Sequence, residues 1–311
     1  MTSTSNHRDL RAELETLTTE AFRPELAGID RLSTLEIAKI MNGEDATVPA
    51  AVAAQLPRIA AAIDDIAERM ARGGRLLYAG AGTAGRLGIL DASECPPTFN
   101  TDPSQVVGLI AGGPDAMVTS VEGAEDSRDL AARDLDALAL TVHDTVVGVS
   151  ASGRTPYAVG AVEHARARGA LTVGLSCNAD SALAAAADHG IEIVVGPELL
   201  TGSTRLKAGT AQKLVLNMLS TITMIRLGKT YGNLMVDVRA SNDKLRARSR
   251  RIVALATGAS DEEIERALAA TGGEVKNAIL TILGGVDGPS AARLLAESEG
   301  HLRAALKKAD G

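Results

Sequence analysis

Residues 75–86 read RLLYAGAGTAGR. An apolar run of strand length, Arg75–Ala81, enters the loop Gly80-Ala81-Gly82-Thr83-Ala84-Gly85-Arg86, and a helical pattern opens directly behind it. Glycine lets backbone approach an anion closely there, and a helix N-terminus adds unpaired N–H groups and the positive end of a dipole. Strand, tight turn and helix make half of a crossover unit, so the sheet is expected to be parallel. Outward from this stretch the alternation continues, with strands expected at Val106–Ala111, Thr145–Ser150, Leu171–Ser176 and Ile191–Val195. Apolar residues at helical spacing mark Val52–Arg72 before the first strand. Lys207–Leu227 after the last is apolar on most faces, which implies burial in a core or a subunit interface. The class expected is α/β: a five-stranded parallel sheet between helical layers, with a small all-helical region behind it.

Three regions follow. Residues 1–50 read as an arm with a short helix around Ser33–Met41, residues 51–241 as the α/β domain, and residues 242–311 as a helical appendage. In the appendage two short helices meet at Gly272–Gly273, Ser260 and Glu263 form a capping box, and Ser290–Leu306 supplies one or two more helices.

Composition removes several functions. With a net charge of −7, 2% aromatic residues and no Trp, the chain lacks both the basic stripe and the stacking platforms of a nucleic-acid surface. The N-terminal MTSTSNHRDLRAELETLTTEAF has no apolar core of a signal peptide, and no apolar run reaches spanning length, so no membrane association is expected. Cys95 and Cys177 give no disulfide framework and point to a reducing cytoplasm. The histidines (His7, His143, His164, His189, His301) lack ligand spacing and neither cysteine falls in a CxxC, so no metal is expected.

The first loop matches G-x-G-x-x-G, which raises a dinucleotide site. The fit is poor, because Glu94-Cys95-Pro96-Pro97-Thr98-Phe99-Asn100 delays the next strand and no acidic ribose ligand lies at the required distance; Asp115 is too far along. A second loop, Ser150-Ala151-Ser152-Gly153-Arg154-Thr155 before Pro156, places hydroxyls and N–H groups at another strand end. Ser152 or Thr155 alone reads as ordinary helix capping. Two such loops at neighbouring strand ends favour a small phosphorylated ligand, with Thr83, Ser150, Ser152 and Thr155 as candidate contacts.

Carboxylates come next. Cys95-Pro96-Pro97 is expected to end a helix and fix Glu94 beside the strand tips. Glu125 lies in VEGAEDS, 121–127, after the second strand. On spacing alone a solvated or capping role suits each better, and Glu122 and Asp126 are read that way. Two fixed carboxylates beside a sugar are still the minimal kit for general acid and base work. In Glu198–Lys207, Ser203 or Thr204 reads as a helix cap, while Lys207 or Arg205 offers positive charge to a phosphate or a carboxylate.

Read together, GAGTAGRLGILDASECPPTF, VEGAEDS, SASGRTPY, TGSTRLKAGTAQKLVLNMLST and YGNLMVDVRASNDKL closely resemble the N-acetylmuramic acid 6-phosphate etherase family, from about Arg31 to the C-terminus. That resemblance implies a sugar-isomerase (SIS) three-layer sandwich followed by a helical region similar to ubiquitin-associated domains. It also implies a cytoplasmic, metal-independent homodimer that needs no cofactor and serves cell-wall sugar recycling. The implied reaction cleaves the lactyl ether of N-acetylmuramic acid 6-phosphate to N-acetylglucosamine 6-phosphate and D-lactate, by elimination and water addition. Glu94 and Glu125 match the family's catalytic glutamates, and Thr83, Ser150, Ser152 and Thr155 its substrate contacts, with Glu198 and Lys207 added as further candidates. One departure is Ala84, where many members carry Ser. An aldose–ketose sugar-phosphate isomerase would use the same domain, with Glu198 placed like an amidosugar isomerase base. A non-catalytic sugar-phosphate-sensing regulator resembling the glucokinase regulatory protein would carry a duplicated SIS domain, and this chain has one copy.

Overall fold

The computed structural model describes residues 17–238 and 243–310. The chain divides into two compact units: the described residues up to Ser93 together with Val106–Ser220, and Glu94–Gln105 together with those from Thr221 onward. The boundary expected at 241/242, and the part of the N-terminal arm before residue 17, lie outside the described residues.

In the first unit the helices α1 (Thr34–Asp45), α2 (Val48–Ala53) and α3 (Leu56–Ala71) lead into strand β1 (Leu76–Gly80). Then come α4 (Gly82–Phe99), β2 (Val106–Ile110), α5 (Arg128–Asp136), β3 (Thr145–Val149), α6 (Pro156–Ala167), β4 (Leu171–Ser176), α7 (Ala182–Ala186), β5 (His189–Glu192) and α8 (Lys207–Arg226), with α4 from Glu94 and α8 from Thr221 belonging to the second unit. All sheet pairings are parallel, in the order β2-β1-β3-β4-β5, which is the expected five-stranded sheet. Strands β1, β3 and β4 are buried at every residue, the pattern of sheet strands covered on both faces.

Differences from the expected elements are local and have causes. The helix expected over Val52–Arg72 is two, α2 and α3, because Pro57 at the start of α3 cannot continue a hydrogen-bond ladder from α2. Strand β5 starts two residues early and ends three early relative to Ile191–Val195. The Cys95-Pro96-Pro97 run does not end α4, which continues to Phe99 with both prolines inside it. Around Ser33 the expected helix forms with a capping box, the Ser33 side chain accepting from the Glu36 N–H and Glu36 accepting from the Ser33 N–H.

One face of the sheet packs Leu77, Ala79 and Val146 against Ala131, Leu135, Tyr157, Ala161 and Ala165 of α5 and α6, with Ala111 and Ala124 in the same cluster. On the α4 side, Asp91 accepts from the Tyr78 hydroxyl at 2.7 Å, from Asn217 at 2.6 Å and from Ser220 at 3.1 Å. Burial pushes the Asp91 carboxyl above the ordinary range, against the stabilising pull of those bonds. The network pins α4 to β1 and to α8. Cys95 and Cys177 are both buried and free of disulfide bonds.

In the second unit the segment after Thr221 carries a two-stranded antiparallel ribbon, β6 (Thr230–Tyr231) with β7 (Leu234–Met235). The helices α9 (Asp243–Thr257), α10 (Asp261–Ala270), α11 (Val275–Gly284), α12 (Gly288–Ala296) and α13 (Leu302–Ala309) follow. The Ser260–Glu263 capping box forms as expected, and these helices share a core built on Val253, Ile264, Ile279, Leu280 and Leu302. Among the described residues no single helix is long and apolar enough to cross a membrane.

Candidate active site

Gly80 of β1 pairs with Val149 of β3. Adjacent parallel strands therefore release their loops at the same level, and the glycine loop and the Ser150–Thr155 loop emerge side by side. A Cβ on Gly85 would sit 2.7 Å from the Gly80 carbonyl oxygen, so this position brings the start of α4 directly against the strand. Gly153 in the other loop has φ +70°, and a Cβ there would lie 2.4 Å from that of Ser181. Both loops are thus shaped by backbone that only glycine allows.

Between them lies a cavity of about 630 Å³, a size suited to a small molecule. The sequence-predicted Thr83, Glu125, Ser150, Ser152 and Thr155 are all on its wall. The Ser150 hydroxyl takes part in hydrogen bonds with the Thr155 hydroxyl at 2.8 Å and the Ser152 hydroxyl at 3.2 Å. It also accepts from the Gly153 N–H at 3.0 Å, and Ser152 accepts from the Arg154 N–H at 3.2 Å. Three hydroxyls are therefore held as a cluster. Two helix N-termini point the same way: Gly82, Thr83 and Ala84 form the first turn of α4, and Thr155 and Pro156 begin α6, all on the wall. Unpaired first-turn N–H groups and hydroxyl donors suit a phosphate monoester.

Glu125 is positioned from below. It sits on a single 3₁₀ turn, Ala124–Asp126, entered through left-handed Gly123 and followed by Ser127, whose hydroxyl caps α5 by accepting from the Leu130 N–H at 3.1 Å. Ala124 is in the core, so the turn is anchored while Glu125 itself stays exposed. Arg86 of α4 donates to the Ala116 and Met117 carbonyls at 2.8 and 3.0 Å, fixing the chain between β2 and that turn. Asp126, read in the sequence as a solvated or capping residue, is also on the cavity wall.

Three predicted residues are not on that wall. Glu198 is fully buried and accepts from the Lys207 and Ala208 N–H groups at 3.0 and 2.9 Å, so it caps α8. Lys207 is buried and ion-paired to Glu44 at 2.7 Å, and Glu44 also pairs with Arg23 at 2.7 Å. Burial opposes the Glu44 charge, but Lys207 and Arg23 outweigh it and hold the carboxyl below its usual range. Glu94 is exposed near the far end of α4, twelve residues past Gly82, about 18 Å along the helix axis at 1.5 Å per residue. The expectation that the prolines end the helix at Glu94 fails, because α4 runs through them to Phe99.

The structure adds wall residues that the sequence reading missed: Leu17, Glu20, Arg154, Thr204 and Gln212. Leu17 and Glu20 arrive because the neighbouring arm residues are tied to the hydroxyl loop through Asn178. That side chain accepts from the Thr18 hydroxyl at 2.9 Å and donates to the Thr19 hydroxyl at 3.0 Å and the Ala151 carbonyl at 2.9 Å. No local signal in residues 17–20 announces this long-range tether. Gln212 and Thr204 were within reach, since they flank the start of a helix that follows a polar loop.

Comparison with known proteins places this geometry. A model of the glucokinase regulatory protein N-terminal SIS domain matches residues 58–166, and an SIS domain model matches residues 126–222. The chain is 87% identical to the N-acetylmuramic acid 6-phosphate etherase of Streptomyces avermitilis over 99% of both chains. It is 83% identical to that of Streptomyces coelicolor over the whole of both, and 62% identical to that of Rubrobacter xylanophilus over 93% of this chain and 96% of the relative. Among solved structures, a phosphoheptose isomerase from Francisella tularensis aligns at 18% identity and a TM-score of 0.47, covering 62% of this chain and all of the other.

Proposed function

The chain belongs to the N-acetylmuramic acid 6-phosphate etherase family, and on that premise we propose that its cavity cleaves the lactyl ether of N-acetylmuramic acid 6-phosphate by elimination and rehydration. The products are N-acetylglucosamine 6-phosphate and D-lactate, and the reaction serves recycling of cell-wall amino sugars in the cytoplasm. The observation that carries this reading is the convergence of the hydroxyl cluster, two helix N-termini and Glu125 on one cavity wall.

The phosphate sits on Ser150, Ser152, Thr155 and Thr83 with the first-turn N–H groups of α4. In the open-chain sugar the C1 aldehyde acidifies the C2 proton, and the lactyl ether at C3 is a β leaving group. Glu125 takes the C2 proton. Glu94 protonates the departing ether oxygen, the C3–O bond breaks, and lactate leaves an unsaturated aldehyde. Glu94 then activates water, which adds at C3, and a proton returns to C2. Every step is a proton transfer or a C–O bond change that carboxylates can serve.

Glu94 does not line the cavity of its own chain, and it is exposed. We therefore place the reaction in a homodimer, in which Glu94 of the partner subunit completes each cavity. Glu198 and Lys207 act at one remove, by holding α8 rather than by touching the sugar. The isomerase alternative loses its base, because Glu198 is committed to the α8 amides. The regulator alternative has no comparable support beside relatives of etherase name that match nearly the full chain.

The test is turnover of N-acetylmuramic acid 6-phosphate with lactate measured, repeated in heavy water and in ¹⁸O-labelled water. Solvent hydrogen at C2 and solvent oxygen at C3 of the amino sugar are expected. Label in the lactate hydroxyl would mean attack at the lactyl carbon and would overturn the elimination.

A further inference from the structure

We infer that Gln212 is a specificity-determining residue that donates a hydrogen bond to the carbonyl oxygen of the sugar's 2-acetamido group; the assignment rests on the etherase reading above. Gln212 lies early in α8, is 1% exposed and forms part of the cavity wall. Its Nε2 is buried and has no hydrogen-bond partner among the described residues. The other buried side-chain atoms in that condition belong to Gln55, Thr101, Thr145, Thr223, Asn277 and Ser298, and none of these lines this cavity. An amide donor buried without a partner is costly, and folded proteins rarely keep one. At a cavity wall the missing partner is naturally a ligand atom.

Charge selects which ligand atom. The wall carries the carboxylates of Glu20, Glu125 and Asp126. The substrate presents two anions and one neutral carbonyl. The 6-phosphate is already provided for by the hydroxyl cluster and the helix N-termini. The lactyl carboxylate would need charge compensation that a neutral amide beside three acidic residues cannot give. The acetamido carbonyl asks only for an uncharged donor, which is what Gln212 has left over. A terminal amide can also turn about its last torsion to bring the donor to the cavity. A site that hydrogen-bonds a substrate group rejects analogues lacking it, because its own buried group is then left unpaired.

The experiment is calorimetric titration of the normal protein, Gln212→Met and Gln212→Glu with N-acetylglucosamine 6-phosphate and with glucose 6-phosphate. The normal protein is expected to favour the acetamido sugar by at least roughly tenfold, the worth of one such bond. Methionine keeps the length but cannot donate, and glutamate keeps the shape but only accepts. Both variants should therefore bind the two sugars alike; glucose 6-phosphate affinity should be unchanged in Gln212→Met and weakened in Gln212→Glu, whose added negative charge opposes the phosphate dianion. Equal weakening for both sugars in Gln212→Met would mean a structural role and would overturn the assignment, as would a preference that survives in a folded variant or is absent from the normal protein. Lactate release from N-acetylmuramic acid 6-phosphate by the normal protein is read separately. Its absence would sink the etherase reading while leaving the sugar discrimination intact.

Discussion

The segment that leaves β3 for α6 and the segment that runs from β5 into α8 look alike in sequence, and the structure uses them in opposite ways. Both carry hydroxyl and charged side chains, both end at a helix start, and both offered candidate ligand contacts. Ser150–Thr155 keeps its hydroxyls on the cavity wall, whereas Glu198 and Lys207 turn inward and are spent on the protein itself. The reason lies in what each helix start requires. Thr155 makes no side-chain cap bond and Pro156 brings no N–H, so the start of α6 has little need of the loop's oxygens. The start of α8 is buried, and its Lys207 and Ala208 N–H groups need an acceptor that water cannot supply. A polar loop is free to bind a ligand only where the following helix does not claim it.

The largest expected effect tests the open class of residue. Glu125, exposed on its anchored turn, should lose about 10²–10⁴-fold in lactate release as Glu125→Gln, the usual worth of a general base. Glu94→Gln should do the same, with sugar-phosphate binding preserved in both. If the partner supplies Glu94, mixing the two inactive dimers and allowing exchange should restore activity, because one of the two cavities in each mixed dimer then holds both glutamates. No recovery after proven exchange would place both carboxylates on one chain and break the homodimer proposal.

The spent class should behave differently. Glu198→Ala leaves two buried N–H groups of α8 unpaired, at about 1–3 kcal/mol each. A large fall in the urea midpoint is expected, with KM of the remaining folded enzyme nearly unchanged. A stable Glu198→Ala protein with a much raised KM would mean that Glu198 reaches the substrate, and the contrast between the segments would collapse.

Ser152→Ala is the mirror experiment. Stability should hold, since the bonds lost are to the Arg154 N–H and a neighbouring hydroxyl at the cavity edge. Substrate affinity should fall by about tenfold to a hundredfold, the worth of one charge-assisted bond to a dianion. N-acetylmuramic acid without its phosphate should be a poor substrate for both proteins and insensitive to the substitution. Equal cleavage of the unphosphorylated sugar would make the loop a structural cap after all.

The sheet was legible in the sequence because parallel strands buried on both faces, such as β1, β3 and β4, read as continuous apolar runs bounded by glycine or polar loops. The two cavity loops were legible because glycines at Gly80, Gly85 and Gly153 mark close approach and positive φ, which nothing else in the chain supplies there. On spacing alone Glu125 read as a solvated or capping residue, and only the family resemblance singled it out. What stayed hidden depended on contacts distant in sequence. The tether of Thr18 and Thr19 to Asn178 spans about 160 residues, so no window of local sequence brings Leu17 and Glu20 to the cavity. The direction of Glu198 was hidden for another reason: a carboxylate nine residues before Lys207 becomes a cap only if the chain folds back, and spacing does not reveal that. The end of α4 was misplaced by a local rule, since two prolines near a helix end usually stop it, and here α4 absorbs them in its last turn.

The smallest effect belongs to Ala84, where the resemblance expects a hydroxyl and the chain has none. Ala84 is 6% exposed and lies on the cavity wall in the first turn of α4. Its own N–H is among the first-turn groups with no carbonyl four residues back inside the helix, so the backbone can hold phosphate there without the side chain. In Ala84→Ser the new hydroxyl gains a possible bond to the phosphate. It also has the competing option of bonding to nearby backbone, and serine costs about 0.5 kcal/mol of helix propensity relative to alanine. The net expectation is a substrate affinity unchanged or tightened by no more than roughly fivefold, under 1 kcal/mol, with turnover unaltered. A hundredfold gain would show that the backbone amides contribute little and that the hydroxyls alone hold the phosphate. A loss of binding would show the opposite, a phosphate seated so closely on the α4 amides that the added oxygen collides with it.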